Sequence, residues 1–376
     1  MRGVLEAVRD GMSPGPVAIV GVGLMGGSLG LALGDSRELV GVDPDPEALR
    51  VALAVGAIDR AAGSLEEAAE GAEAVVLAAP VPALEGLVRR ALAAAPEGCL
   101  VTDLGSAKAA LLEALSPVER ERFIGGHPVC GAERTGVAFA RGDLFRGATW
   151  FLTPGTEARP ELFQRLHGLV GAVGARPVAI DARAHDRLMA LVSHLPHVLA
   201  GALVNQAAAT APEGREALRS AGPSFGDLTR VAGSNPPMWA DILLANREAV
   251  LEALGAYSAA LGDVAAALRA GDRDWLLGFI GDAAGARARL RAAQDTGPAE
   301  PARLVVAIPN RPGAISEIAT ALGHAHINIE DLHLRPGPPD GEGELELVVD
   351  GVEAAREAVR LVAERGYRAE VASSMT

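Results

Sequence analysis

Three glycines near the start of the chain, Gly21, Gly23 and Gly26, have the spacing G-x-G-x-x-G. They follow an apolar run at residues 17–20, which is typical of a buried strand, and they precede a segment that predicts a helix. The first glycine permits a tight turn, the second lets a pyrophosphate approach the backbone, and the third lets helix and strand pack closely. The alternative is a glycine-rich turn in an unrelated α/β domain. The position between strand and helix favours a dinucleotide site.

The residues that follow indicate which dinucleotide this loop would hold. Leu24 and Met25 begin the predicted helix at residues 24–33, whose amino-terminal amides and positive dipole end would face the pyrophosphate. Asp43 ends the next predicted strand, residues 39–42, where an acid accepts hydrogen bonds from a ribose diol. An acid at this position also repels a 2′-phosphate, so NAD is expected rather than NADP.

Further candidate residues follow the later predicted strands. Strands at residues 74–78 and 100–102 alternate with helices, as in a doubly wound sheet whose ligands sit at the strand carboxyl ends. Pro80, Asp103 and Ser106 are therefore expected to face the cofactor. A serine near the start of a helix is also a common helix cap. Position alone leaves both roles open for Ser106.

The segment FIGGHPVCGAERTG, residues 123–136, contains a candidate general base. His127 follows two glycines and precedes a proline, so we predict that it lies on a constrained loop. An imidazole titrates close to working pH and can take a proton. The alternative is a loop histidine bonded to backbone. Cys130 raises the possibility of a Cys–His nucleophile, but no third orienting group is evident, and cysteine often fills a small buried site.

Three histidines, His185, His194 and His197, lie in one mostly apolar segment that predicts a helix. The last two are three residues apart, as in a metal pair, but no nearby Glu or Cys completes such a site, so no metal is expected. Pro196 would bend or restart the helix. Residues 198–204 are apolar on every face, which is typical of a helix in a core or between subunits and is consistent with a homodimer.

Arg230 lies just before another predicted helix, which Asn235 would cap and Pro236 would begin. In a chain this acidic, an arginine is usually a surface ion-pair partner, here with Asp227. Its functional role would be to clamp a substrate carboxylate through two parallel hydrogen bonds.

The order of the predicted elements divides the chain into three domains. Residues 15–181 predict a Rossmann-like, doubly wound α/β domain, and residues 182–291 predict an all-helical substrate and dimerisation domain. Residues 292–302 have the composition of a linker. Residues 303–376 show the order βαββαβ of a small ferredoxin-like domain.

Composition limits the classes of partner. The 376 residues carry a net charge of −14 at pH 7, which would repel nucleic acid and a membrane surface. Two cysteines, Cys99 and Cys130, are too few for a disulfide framework. We expect no signal peptide and no membrane span, and hence a cytoplasmic protein. Lys108 is the only lysine, which indicates either a position where a guanidinium does not fit or chance retention.

The motifs TDLGSAK, GGHPVCGAE, HD, SHLPH and TRVAGSNPPMW follow the dinucleotide loop in this order. Together they resemble the prephenate dehydrogenase family. The tail, with IPNRPGAISEIATAL followed by HINIEDL, resembles an ACT domain, a module that binds small ligands and often amino acids. The two resemblances cover nearly everything after residue 15.

The resemblance implies oxidative decarboxylation of prephenate to 4-hydroxyphenylpyruvate in tyrosine biosynthesis, with hydride passing to NAD. By matching of motifs, His127 would polarise the ring hydroxyl, with Ser106 hydrogen-bonded at the same locus. Arg230 would meet the side-chain carboxylate and His197 the ring carboxylate, with His194 close by.

The same matching implies supporting roles for three further residues. Glu133 and Asp227 match polar residues that gate entry or orient the arginine, and Trp239 matches an aromatic residue at the mouth of the site. Cys130 stands where a small residue is usual, and Gly226 where a basic residue is frequent. These departures leave prephenate and its aminated relative arogenate both open as substrates.

Two other functions are considered. Another NAD-dependent hydroxy-acid dehydrogenase would carry a catalytic lysine on the central helix, whereas Lys108 lies far too early in the chain. An amino-acid-sensing protein with a dehydrogenase-like body would be expected to lack His127 or Arg230, and both are present.

The ACT-like tail is expected to bind an amino-acid effector, with L-tyrosine first and L-phenylalanine second. Gly313 would permit close approach of the ligand backbone. The expected effector residues are Asn310, Pro312, Gly313, Ala314, Asn328 and Ile329.

Overall fold

The computed structural model describes residues 15–131, 134–210, 222–295, 301–309, 311–325, 327–335 and 341–372. Contacts between residues divide the chain into two compact units. The first contains residues 1–186, 240–245 and 301–376, and the second contains residues 187–239 and 246–300. The predicted dinucleotide-binding and ferredoxin-like domains therefore share one unit, and most of the predicted helical domain forms the other.

A large sheet of eight short strands, four of them wholly buried, forms the centre of the first unit. In chain order its strands are β1 (Val17–Val20), β2 (Leu39–Val42), β3 (Arg60–Ala61), β4 (Ala74–Leu77), β5 (Leu100–Asp103), β6 (Phe123–Pro128), β7 (Thr149–Pro154) and β8 (Arg176–Ala179). Their order across the sheet is β3-β2-β1-β4-β5-β6-β7-β8. All neighbours are parallel except β6 and β7, which are antiparallel. The predicted doubly wound fold is confirmed, and the carboxyl ends of β1, β4, β5 and β6 meet at one edge.

The helices of this domain begin where local residues satisfy their first amides. The Asp45 side chain accepts from the Glu47 N–H at 2.9 Å, and the Ser64 side chain accepts from the Glu67 N–H at 3.1 Å. The helices are α1 (Leu24–Leu33), α2 (Pro46–Ala54), α3 (Leu65–Ala69), α4 (Val81–Ala94), α5 (Ala109–Ala114), α6 (Pro117–Arg120) and α7 (Pro160–Ala172).

Strand β6 was not predicted, since its two glycines indicated a loop around His127. That prediction is wrong, because His127 lies within the strand. A side chain at Gly125 would overlap the Thr153 hydroxyl oxygen, and one at Gly126 would lie 2.6 Å from the Asp103 carbonyl oxygen. The glycines therefore allow neighbouring strands and side chains to approach β6 closely.

The described residues between 182 and 295 are mainly helical, as predicted for residues 182–291. The elements are α8 (Ala182–Met189), a π-helical segment (Ala190–His194), α9 (Leu195–Thr210), α10 (Pro223–Thr229), a 3₁₀ turn (Arg230–Gly233), α11 (Pro236–Ala245), α12 (Arg247–Ala270) and α13 (Arg273–Asp295). Pro196 cannot donate a backbone hydrogen bond and crowds the preceding turn, and the wider π-helical segment ends two residues before it. Asn235 caps α11 by accepting from the Met238 N–H at 3.2 Å, which confirms the predicted helix start.

The long helices of the second unit expose many apolar side chains. Five that are more than half exposed are Leu251, Leu261, Leu268, Ile280 and Leu290. Two helical stretches, Ala182–Ala209 and Arg247–Ala270, are long and apolar enough to cross a membrane by length and composition alone. Such helices are weak evidence of a span, because helices in the cores of soluble proteins or between subunits have the same composition.

A four-stranded antiparallel sheet with two helices forms the carboxyl-terminal part of the first unit. Its elements are β9 (Pro301–Pro309), α14 (Ala314–His324), β10 (Ile329–Arg335), β11 (Glu342–Asp350), α15 (Val352–Ala363) and β12 (Arg368–Val371). The strand order β10-β11-β9-β12 confirms the predicted βαββαβ ferredoxin-like fold. The predicted linker is shorter than expected, because α13 extends to Asp295 and β9 begins at Pro301; residues 296–300 lie outside the described part.

The ferredoxin-like sheet and the large sheet share one hydrophobic core. Buried side chains of α7, such as Leu166, and of α14, such as Ile318, belong to the same cluster. The Gly313 N–H donates to the Ala158 carbonyl at 3.1 Å, and His167 Nε2 lies 3.2 Å from the Ile329 carbonyl oxygen. The small domain is therefore docked on the side of α7.

Candidate active site

The glycine loop between β1 and α1 has the geometry that a dinucleotide requires. Gly21 has φ +94°, and a side chain there would overlap the Ala78 carbonyl oxygen. A side chain at Gly26 would overlap the Gly21 carbonyl oxygen, so this glycine allows helix and strand to approach. A Cβ at Gly23, in contrast, would meet nothing within 4 Å. The open space at the second glycine is where a pyrophosphate would approach the backbone.

The residues around this loop also fit a bound dinucleotide. Leu24 and Met25 form the first turn of α1, whose N-cap is Gly23 and which has no side-chain cap, so its first amides are not bonded to a capping side chain. The Asp43 carboxylate is half-buried and accepts from the Val22 N–H and the Asp45 N–H, each at 2.9 Å. A carboxylate has acceptor capacity for about four hydrogen bonds, so this one can still accept from a ribose diol.

Pro80 and Ser106 follow β4 and β5 at the carboxyl edge of the sheet. Pro80 is exposed and Ser106 is half-buried. The helix after Ser106 begins at Ala109 with Lys108 as its N-cap, so Ser106 does not cap it. Both residues lie where a cofactor would be expected from the strand order.

The prediction that Asp103 faces the cofactor is corrected by the structure, because the Asp103 carboxylate is fully buried. It forms an ion pair with Lys108 Nζ and accepts from the Gly105 N–H at 2.8 Å and the Gly126 N–H at 3.1 Å. Lys108 Nζ also donates to the Gly126 carbonyl oxygen at 3.0 Å. The only lysine of the chain therefore joins β5 to the strand that carries His127.

His127 belongs to a chain of three hydrogen-bonded side chains. His127 Nδ1 lies 2.8 Å from His185 Nε2, and His185 Nδ1 lies 2.8 Å from Asp186 Oδ1. His185 is fully buried, and burial lowers its pKa against the opposing effect of Asp186. The sequence motif HD contains His185 and Asp186, but no site role was predicted for either residue. The adjacent His and Asp just after strand β8 were the available signal.

The Cys–His nucleophile has no support in the structure. Burial raises the pKa of the Cys130 thiol to about 11, whereas a nucleophilic cysteine needs a lowered pKa. Cys130 packs against the hydrophobic core instead.

Four of the predicted substrate residues lie together in the second unit. The His197 and Trp239 rings stack with centroids 3.3 Å apart, and His194 meets the Trp239 ring edge-on at 5.9 Å. His197 Nε2 lies 2.8 Å from Ser234 Oγ. Desolvation lowers the His197 pKa, and the nearby charge of Arg230 lowers it further.

The remaining predicted substrate residues are less defined. Asp227 is exposed on α10, and Glu133 lies outside the described residues.

The structure also shows a buried contact that was not predicted from the sequence: Asn246 Nδ2 lies 3.1 Å from His194 Nδ1. Within the described residues, no group of three or more metal-ligating side chains occurs.

The predicted effector residues lie at the boundary between the two sheets. Gly313 has φ +82°, and a side chain there would overlap the Thr156 carbonyl oxygen. Ala314 and Ile329 are buried, whereas Pro312 is exposed. The Asn328 Oδ1 atom is buried and has no hydrogen-bond partner among the described residues. Asn310 lies outside those residues.

Three sequence families match successive parts of the chain. "Prephenate dehydrogenase, nucleotide-binding domain" matches residues 31–179, and "Prephenate dehydrogenase, dimerization domain" matches residues 181–281. An ACT domain matches residues 302–366.

Individual relatives agree with these matches. The prephenate dehydrogenase of Bacillus subtilis is 31% identical over 324 residues, covering 85% of this chain and 87% of the relative. The prephenate dehydrogenase of A. aeolicus, solved with hydroxyphenyl propionate and NAD+, is 30% identical with a TM-score of 0.70, covering 74% of this chain and 99% of that one. Synechocystis arogenate dehydrogenase is 27% identical with a TM-score of 0.65, covering 73% and 99%. The chain belongs to the prephenate dehydrogenase family and is an oxidoreductase with a carboxyl-terminal ACT domain.

Proposed function

We propose that the protein catalyses NAD-dependent oxidative decarboxylation of prephenate to 4-hydroxyphenylpyruvate, a step of tyrosine biosynthesis. The observation that carries this proposal is the position of His127. It lies near the carboxyl end of β6, at the sheet edge where the dinucleotide loop also ends, and its imidazole is held by His185. A base at this edge is placed for a substrate that reacts beside the cofactor.

The reaction requires a base for the ring hydroxyl. When bound, NAD would supply the hydride acceptor for the ring carbon that bears this hydroxyl. His127 would take the hydroxyl proton as the carbon is oxidised, and Ser106, half-exposed at the same edge, would hold the hydroxyl oxygen. Loss of the ring carboxylate as carbon dioxide then makes the ring aromatic and needs no metal.

Recognition of the two substrate carboxylates is assigned to the cluster in the second unit. Arg230 would clamp the side-chain carboxylate, and His197 would donate to the ring carboxylate. Trp239 stacks on His197 and fixes the plane of its ring. This stacking supports a role for His197 in positioning as well as in binding.

NAD is proposed over NADP because of Asp43. Its carboxylate is held beside the glycine loop by the Val22 N–H and the Asp45 N–H. A 2′-phosphate at that place would be repelled by the negative charge.

Arogenate is the second candidate substrate. It carries an ammonium group on its side chain, and the exposed carboxylate of Asp227 lies three residues before Arg230. Similarity to an arogenate dehydrogenase agrees with this possibility. NADH formation should be measured with prephenate and with arogenate, each with NAD and with NADP. Absence of turnover in all four assays would contradict the proposed function, and the substrate with the higher kcat/KM identifies the specificity.

We also propose that L-tyrosine acts as a feedback effector in the ACT domain of a homodimer. The buried Asn328 Oδ1 offers an acceptor to an amino-acid ammonium group. The exposed apolar helices of the second unit supply the surface for a second copy, in agreement with the matched dimerization domain. A cytoplasmic location stays a prediction.

A further inference from the structure

We propose that His185 and Asp186 are positioning residues that hold His127 in the tautomer protonated at Nδ1, with Nε2 as the basic nitrogen. The proposal rests on the proposed function, in which His127 is the base. Neither His185 nor Asp186 needs to touch the substrate for this role.

The direction of the two hydrogen bonds follows from the chemistry of Asp186, the last of the three residues. An ionised carboxylate can only accept, so Asp186 Oδ1 requires a donor at His185 Nδ1, 2.8 Å away. A neutral His185 then has its lone pair at Nε2, which must accept. His127 Nδ1, 2.8 Å from that atom, is therefore the donor. In a neutral imidazole this leaves Nε2 of His127 without a proton.

Asp186 is fixed by two backbone amides. Its Oδ1 accepts from the Lys108 N–H and its Oδ2 from the Ala109 N–H, each at 2.9 Å. The start of α5 thus orients the carboxylate, and a carboxylate at a helix amino terminus is also favoured by the helix dipole. The fold therefore fixes Asp186 as the acceptor at the end of this series of hydrogen bonds.

His185 is held in a neutral, enclosed environment. It is fully buried, and Phe151, the cross-strand partner of His127, packs edge-on against it with centroids 5.4 Å apart. The charged groups acting on it are Asp186, Lys108 and Asp103. Burial outweighs the two carboxylates and lowers its pKa, which supports the neutral form that the hydrogen-bond directions require.

The arrangement also stabilises the state that follows proton transfer. The hydroxyl proton moves to His127 Nε2, and the Nδ1–H of the resulting imidazolium keeps its bond to His185 Nε2. No proton leaves the three residues in this step. The negative charge of Asp186 is felt by His127 through one neutral imidazole, rather than directly as in a Ser-His-Asp triad.

The tautomer can be measured without substrate. Imidazole nitrogens with and without a proton differ in ¹⁵N chemical shift, and the chain has 8 histidines, which can be labelled selectively. The His127 signals, assigned by their loss in His127→Ala, should show a protonated Nδ1 and an unprotonated Nε2. A His127 protonated at Nε2 in the free protein would overturn the proposal.

Variants test the effect on turnover. His185→Phe keeps a flat ring but removes the acceptor, and we expect kcat to fall about 10–100-fold, by analogy with the loss when a residue that orients a metal-bound histidine is removed. KM should change by less than about threefold. His185→Gln, whose side-chain oxygen can accept from His127, should recover most of kcat. The matched control is His167→Phe, which removes another buried histidine and should leave kcat unchanged.

The outcomes separate this proposal from the proposed function. Unchanged kcat in His185→Phe, or equal loss in the Phe and Gln variants, would overturn the positioning role. If His185→Phe does not fold, the tautomer of His127 in the wild-type protein and the kcat of His185→Gln still test the proposal. A protonated Nδ1 in a wild-type protein that forms no NADH from either substrate would instead contradict the proposed function alone.

Discussion

Lys108 Nζ donates to the carbonyl oxygen of Gly126, the residue immediately before His127. The same ammonium group forms a buried ion pair with Asp103, and both side chains are almost completely enclosed. The only lysine of the chain is thus placed where a compact cation is needed, since a Cβ added at Gly125 would already lie 3.2 Å from Lys108 Cδ. A guanidinium group is larger than an ammonium group, so an arginine at this buried position would have to displace its neighbours.

Removal of this ammonium should destabilise the fold. Lys108→Met leaves the Asp103 carboxylate buried without its cation, and the free energy of unfolding should fall by about 3–5 kcal/mol. Lys108→Arg should also destabilise the protein, because a larger head group must be accommodated in a buried site. Denaturant unfolding measures both. The control, Arg183→Met, breaks only an exposed pair with Glu113 and should change stability by less than about 1 kcal/mol. Equal effects in the control and in Lys108→Met would contradict this account.

His127→Ala should leave NAD binding nearly intact and lower turnover by about 10²–10⁴-fold, the usual worth of a positioned base. The cofactor loop is separate from β6 in sequence and its glycine geometry does not involve His127. NAD affinity is measured by calorimetry and turnover by NADH formation. Exposed His324 provides the control, since His324→Ala should behave as wild type. A His127→Ala variant with wild-type turnover would exclude His127 as the base.

Arg230→Ala should weaken substrate binding more than it slows chemistry. A hydrogen bond to a charged group contributes about 1.5–3 kcal/mol, so KM should rise about 10–150-fold. Steady-state kinetics with prephenate measures this change. Arg356→Ala removes an exposed arginine of the ACT domain and should leave KM unaltered. An unchanged KM in a folded Arg230→Ala protein would show that Arg230 is only a surface residue and does not bind the substrate.

Stability should fall as the pH decreases through the unfolded-state pKa of histidine. Burial lowers the pKa of His167, so below a pH of about 6.5 the unfolded chain binds a proton that the folded chain does not. The free energy of unfolding therefore rises with pH in this window, by at most about 1.4 kcal/mol per pH unit for one group. His167→Phe should reduce the slope between about pH 5.5 and 6.5. An identical slope in wild type and variant would contradict this assignment.

Asn328→Leu should weaken inhibition by L-tyrosine about tenfold or more without changing uninhibited turnover, because it removes the buried acceptor oxygen. The exposed His333 gives the control, His333→Ala. Inhibition of unaltered potency in Asn328→Leu would favour tyrosine as a product-like competitor at the catalytic site. Gly313→Val is not a suitable test of effector binding, because its side chain would overlap the Thr156 carbonyl oxygen and disturb the packing of the domain.

Local signals were sufficient to predict much of the fold. The bounds of β1 and α1 follow from a β-branched run and a glycine turn, and the structure reproduces them. Strand β6 was missed because its glycines are explained only by contacts with Thr153 and Asp103, which are distant in the sequence. Such contacts leave no local pattern.

The chemistry of the site was predicted less completely than its location. Lys108 Nζ bonds to Gly126, 18 positions away, and the Lys108 N–H bonds to Asp186, 78 positions away. His185 was part of the HD motif without an assigned role, and its pairing with His127 depends on how β7 pairs with β6 and with β8. Sequence periodicity predicts which elements exist, but not which buried polar groups meet between them.

The close packing of the ACT domain against the rest of its unit limits how far this regulatory module can be exchanged between proteins. A side chain at Gly323 would overlap the Ala179 carbonyl oxygen, just as one at Gly313 would overlap that of Thr156. A domain transplanted from a relative would need glycine at both positions and an apolar face matched to Leu166 of α7. A chimera joined only at residues 296–300 would bring a foreign surface to this contact. Recombination that preserves the fold must therefore carry α7 and the ACT domain together.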